Sequence, residues 1–184
     1  MVTEVQTEAV EMRVANLHLR RPTEGDKPRR HIIVLEEVGG ARILPIWVGE
    51  FEGQSIAMLL EKVEVPRPLT FGFTAGLLQA AGGRLREVRV HRLEAETFYA
   101  EAVVEGAAGS RAVDARPSDA IALALETGAP IYAASAVLDA QEAARATRPV
   151  SREELLHPSV GSAEIVAEII EKWPVEPKPT KRTG

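Results

Sequence analysis

Asp114-Ala-Arg-Pro-Ser-Asp-Ala-Ile-Ala-Leu-Ala-Leu-Glu-Thr-Gly-Ala-Pro-Ile131 reads as the end of a strand, a polar corner, a buried helix and the start of another strand. Pro117 suits the first helical position, where no N–H is needed and φ is preset. Ser118 and Asp119 then fall in the first turn, where an oxygen acceptor or a negative charge meets unpaired amides. Gly128 is placed to end the helix in the left-handed conformation, and Pro130 stops it from resuming. Ala120 to Leu125 is apolar on every side, which predicts a buried helix rather than a surface one. Arg116, Ser118 and Asp119 are therefore held at the mouth of a rigid element, where either a cap or a functional site can be built.

Working outward, Ile131 to Ala134 reads as a strand, and Ser135 is placed to cap a helix reaching about Arg145. On the other side, Arg84–Leu93 and Thr97–Glu105 alternate with a period of two, joined at hairpin length by Glu94-Ala-Glu. Phe98, Ala100, Ala102 and Val104 share one face. Gly106 to Ser110 turns the chain into a short strand ending at Asp114. Further back, Val10–Arg20 places Met12 and Val14 on one face but Leu17 and Leu19 on the other, which calls for a bulge. His31-Ile-Ile-Val-Leu35 is a buried strand, and Pro45 puts the strand Arg42–Val48 at an edge or bulge. The helix after Gly49 carries a stripe of Phe51, Ser55, Ile56, Leu59, Leu60 and Val63, with Glu50 and Glu52 at its positive end. Val65–Thr70 is an extended, proline-bound connection, and a second helix runs from about Thr70 to Ala81, ended by Gly82-Gly83.

After residue 146 the character changes. Residues 147–173 read as a linker and a C-terminal helix that Ser162 is placed to cap, with a capping box at Ser151–Glu154 on the way. Residues 174–184, rich in proline and charge, read as a disordered tail. The expected fold is α+β: one compact domain over residues 10–146 with a mixed, largely antiparallel sheet packed by helices, and a short helical appendage.

Composition narrows the function. The chain has 184 residues, no cysteine, 4% aromatics and a formal charge of −5. Cysteine catalysis, thiolate metal sites and disulfides are excluded. No apolar run approaches a membrane span and the acidic N-terminus is unlike a signal peptide, so a cytoplasmic protein with no membrane partner is expected. The charge argues against a general nucleic-acid coat but leaves room for a local basic patch. His18, His31, His91 and His157 are scattered and read as structural or surface groups. No phosphate loop, dinucleotide fingerprint or nucleophile elbow occurs.

What remains is a set of polar residues at element ends: Glu50, Glu52, Arg67, Thr70, Asp114, Arg116, Ser118 and Asp119. Carboxylates beside arginines are able to hold a divalent ion and a phosphodiester. The same residues have a structural reading, in which Glu52 and Asp119 complement helix dipoles, Ser118 caps and Arg116 pairs with a nearby acid.

Leu44-Pro-Ile-Trp-Val-Gly-Glu-Phe-Glu-Gly-Gln-Ser-Ile-Ala, Pro66-Arg-Pro-Leu-Thr, Thr97-Phe-Tyr-Ala and Arg116-Pro-Ser-Asp-Ala-Ile-Ala-Leu-Ala, in this order, closely resemble the bifunctional nuclease family over about residues 10 to 140. The resemblance implies an oligomeric α+β domain, a dimer first, with RNase and DNase activity. Carried onto this chain, it implies Glu52 and Asp119 as catalytic carboxylates and Arg67, Thr70, Arg116 and Ser118 as phosphate-binding residues. Glu52, Asp114 and Asp119 would be ligands for magnesium or manganese. The chain departs from the family in one place: Phe71-Gly72 stands where members usually carry His-Asp. A non-catalytic module that binds an anion or nucleotide, or a cluster that only orders an oligomer, uses the same residues without turnover. The corner at Arg116–Asp119 is expected to meet Glu52 and the Pro66–Thr70 connection.

Overall fold

A computed structural model describes residues 8–20, 30–145 and 160–172. The expected capping box at 151–154, the linker, His157 and the tail lie outside the described residues.

Seven strands form one mixed sheet: β1 (Ala9–Arg20), β2 (Arg30–Glu37), β3 (Ile43–Val48), β4 (Arg84–Glu94), β5 (Thr97–Gly106), β6 (Gly109–Ala115) and β7 (Ile131–Ala134), in the order β3-β2-β1-β7-β4-β5-β6. Every pairing is antiparallel except β4 with β7, whose connection runs through a helix as parallel neighbours require. Five helices are described: α1 (Glu50–Leu60), α2 (Thr70–Ala80), α3 (Pro117–Thr127), α4 (Ser135–Arg145) and α5 (Ser162–Lys172). The fold is α+β, as the patterning predicts.

The period-2 pattern fixes which side chains face the helices. Leu17, Ile33, Leu44, Val88, Val90, Ala100 and Ala133 form one cluster with Ile56 of α1 and Ile121 of α3. Ile32, Val34 and Ile43 make a separate, smaller cluster on the other side of the sheet. The face switch in β1 is a register shift between Val14 and Asn16, where one extra residue turns Met12 and Leu17 to the same side. Pro45 lies in β3, an edge strand, where a missing N–H is tolerated. In α3, Ala120, Ile121, Ala122 and Ala124 are buried, and Gly128 closes the helix at φ +72°.

Three details differ from the sequence reading. Phe51 is 80% exposed: with Gly53, Ile56, Ala57 and Met58 buried, the inward face of α1 lies away from it. The α5 capping is done by Glu164, whose carboxylate accepts the Gly161 N–H at 3.0 Å, while the Ser162 hydroxyl donates to Glu61 of α1. Val160, Ile165 and Val166 join the main cluster, so α5 shares the core of the sheet domain.

Helix α2 has no buried residue, and Gly76 in its interior has open space around a notional Cβ. Gly76→Ala therefore gains helix propensity without a clash and raises stability by up to about 1 kcal/mol. A melting temperature about 2–4 °C higher is expected; an unchanged or lower one contradicts the open placement.

The β2–β3 turn is tied to α4 by one arginine. Arg42 donates to Glu37 through Nε (2.9 Å) and Nη2 (2.8 Å), and through Nη1 to Ser135 Oγ at 3.1 Å. The Arg42 guanidinium holds the Glu37 carboxyl at about 2, well below its ordinary 4.5. A carboxyl depressed on folding favours the native state above its unfolded value, and that contribution fades as pH falls through the native value. Glu37→Gln should accordingly flatten the melting-temperature profile between about pH 4.5 and 2. An acid limb as steep as that of wild type would show the pair to be inconsequential.

Candidate active site

Three segments distant in sequence converge on a groove of about 360 Å³: Ile46 to Gly49 where β3 enters α1, Glu96 to Phe98 at the β4–β5 hairpin, and Arg116 to Ser118 at the β6–α3 corner, with Glu52 alongside. Glu52 stands in the first turn of α1 and Asp119 in the first turn of α3, each where a carboxylate complements a helix N-terminus.

Arg116, the N-cap residue of α3, ties them together. Its Nε donates to Asp119 Oδ2 at 2.7 Å and its Nη2 to Asp119 Oδ1 at 3.1 Å, a two-point grip. Its Nη1 donates to Glu52 Oε1 at 2.9 Å, across 64 residues of sequence. These bonds, Asp119 foremost and then Glu52, raise the Arg116 pKa, so the guanidinium is always charged. The Arg116 side chain is 66% exposed, and exposed pairs contribute little to stability. What the bonds secure is position: two carboxylates from different helices on one rigid planar cation.

The close packing beneath α1 sets the placement of Glu52. A Cβ at Gly53 would overlap the ring of His31, which is buried in β2. His18 is likewise buried, in line with a structural reading of both, whereas His91 is exposed. At the opposite wall, Ser118 is 7% exposed and lines the groove. The α3 N-cap residue, Arg116, makes no side-chain cap bond.

The charge balance is acidic. Glu52, Glu96 and the adjoining Asp119 make three carboxylates against the one guanidinium of Arg116. A free anion gains little there without an added cation.

Several expected members stand elsewhere. Arg67 and Thr70 are exposed and are not among the groove-lining residues. Helix α2 docks toward the far end of α3, where a Cβ at Gly72 would lie 3.2 Å from Glu126 Oε1. That is ten residues, about 15 Å of helix, from Arg116. Asp114 is exposed on β6, opposite Glu101, and strand alternation turns it away from the side on which Ala115 packs. Among the described residues no three His, Cys, Asp or Glu side chains gather as a metal site, so Glu52, Asp114 and Asp119 do not assemble as a trio. Glu50, at the head of α1, bonds to Gln54 of its own helix. Conversely, Trp47, Glu96, Thr97 and Phe98 line the groove and escape a search for charged element ends. A signal for Trp47 and Phe98 exists in the motif blocks that contain them.

Residues 33–146 match the bifunctional nuclease domain, a stretch that contains all three groove segments. The chain belongs to the bifunctional nuclease family. Its relatives include an uncharacterized protein of Mycobacterium tuberculosis, found in two strains, at 40% identity over 128 residues, covering 70% of this chain and 73% of the relative. Phe71-Gly72 falls at the start of α2, with Gly72 beside Glu126 and away from the Arg116 corner. Phe71 there packs half-buried against the core.

Proposed function

We propose that this bifunctional nuclease-family protein hydrolyses phosphodiester bonds of RNA or DNA in the groove between α1, α3 and the β4–β5 hairpin. The observation that carries the reading is the Arg116 bridge, which brings Glu52 and Asp119 together beside an open groove. One carboxylate acts as general base toward the attacking water. Arg116 and the Ser118 hydroxyl hold the phosphoryl oxygens, where charge develops in the transition state.

The donor chemistry fits a hard divalent cation, magnesium or manganese. Such ions need only one or two protein carboxylates when substrate phosphate and water complete the shell. Glu52 and Asp119 would hold it, and when bound it supplies Lewis acidity at the phosphoryl group. It also answers the acid surplus of the groove. The absence of cysteine suits a reducing cytoplasm, and no helix among the described residues is long and apolar enough to cross a membrane.

Phe71-Gly72 favours a second reading, a non-catalytic module that binds a nucleotide or anion in the same groove. Metal removal separates the two. Purified protein incubated with single-stranded RNA or DNA should lose cleavage in excess chelator and regain it with magnesium or manganese. Undiminished cleavage in chelator contradicts metal assistance, and no cleavage with any metal supports the binding module.

A further inference from the structure

Helix α2 presents an apolar outer face. Phe73 is 59% and Leu77 55% exposed, Leu69 is exposed beside them, and no residue of the helix is buried. From Pro68 to Gly83 the sequence holds no charged residue, although 27% of the whole chain is charged. Such a face has no cation for a phosphate backbone or an anionic lipid surface. It suits a second copy of the chain. Two molecules of net charge −5 repel each other, and an uncharged patch lets them meet without placing like charges in contact.

The order of side chains is self-complementary, as a two-fold interface requires. Leu69, Phe73, Gly76 and Ala80 follow one another at spacings of four, three and four residues, which puts them on one helical stripe. Antiparallel pairing about the middle of α2 sets Leu69 against the partner's Ala80 and Phe73 against the partner's Gly76. Each large side chain then meets a small one, and Leu77 flanks the seam. The same pairing brings Arg67 to the C-terminal end of the partner's α2, whose last turn has no basic residue of its own. A cation is favoured at that pole.

We propose that α2 is the seam of a two-fold homodimer, packed antiparallel on its copy through Leu69, Phe73, Gly76 and Ala80. Eleven residues of helix span about 16 Å, so the contact falls short of the roughly 800 Å² per partner of a standard interface. The dimer is accordingly reversible, with a dissociation constant on the order of 10–100 µM. Because α2 lies away from the Arg116 corner, both grooves stay open, and association is independent of phosphodiester hydrolysis.

Sedimentation equilibrium of the full chain should show the mass rising from one chain towards two between about 1 and 500 µM. Phe73→Glu and Phe73→Lys each bring like charges together near the axis, and each variant alone should stay a single chain. Mixed in equal amounts, the two should associate, because opposite charges then face each other across the seam. Melting temperatures of the dilute variants within about 2 °C of wild type control for folding, as Phe73 is exposed. A single-chain mass throughout the range overturns the seam and leaves the face to a different protein. A dimer that survives Phe73→Glu overturns it too, by placing the contact elsewhere. Variants that stay apart when mixed contradict the two-fold geometry.

Discussion

Glu52→Gln and Asp119→Asn should each lower phosphodiester hydrolysis by about 100-fold or more, the range for loss of a general base. Both substitutions keep one oxygen that accepts from Arg116 and remove the negative charge, and Asp119→Asn also gives up one of the two bonds of the grip. The side chains are 24% and 38% exposed, so weakening their ion pairs costs about 0–1 kcal/mol. Melting temperatures should consequently stay within about 4 °C of wild type. A large loss of rate at nearly constant stability is the signature of a site rather than a support. Were the two carboxylates only helix-dipole partners, the rates would be unchanged.

Gly53→Ala should behave opposite to helix propensity. In an open helix the change stabilises by about 1 kcal/mol, as expected for Gly76 in α2. In α1 the added methyl would enter the buried His31 ring, and neither a sheet residue nor a helix packed on it yields easily. Overpacking of this kind costs about 1–3 kcal/mol, a fall of about 2–12 °C. Because Glu52 precedes Gly53 directly, a displaced α1 also moves the carboxylate from Arg116, and hydrolysis should fall with stability. A higher melting temperature in Gly53→Ala would contradict the close contact. The contrast between Gly53 and Gly76 tests packing against propensity at two helical glycines of one chain.

These residues also show what the sequence makes legible. Pro117 and Gly128 bracket α3, because an N1 proline and a left-handed terminator are local requirements that tertiary contacts seldom override. Pro45 marks an edge strand and the misphased Met12 and Leu17 mark a bulge for equally local reasons. Phe51 misleads, since a helical stripe containing an aromatic reads as buried while the small residues Gly53 and Ala57 are what permit close approach. In the site, Glu52, Arg116, Ser118 and Asp119 are identifiable as element-end polar residues, and the structure brings these together. Arg67 and Thr70 share that signal yet stand apart, because nothing in a local pattern says along which part of α3 the helix α2 will dock. Trp47 and Phe98 are uncharged strand residues that a search for charged element ends passes over, although the motif blocks contain them.

That Glu52 and Asp119 act as one unit through Arg116 is tested most directly by a cycle of kcat/KM for wild type, the two single variants and Glu52→Gln/Asp119→Asn. Residues acting as a unit are strongly non-additive. The double variant should fall no more than about tenfold below the weaker single one. Singles at the wild-type rate, or losses that multiply in the double variant, would contradict a shared site.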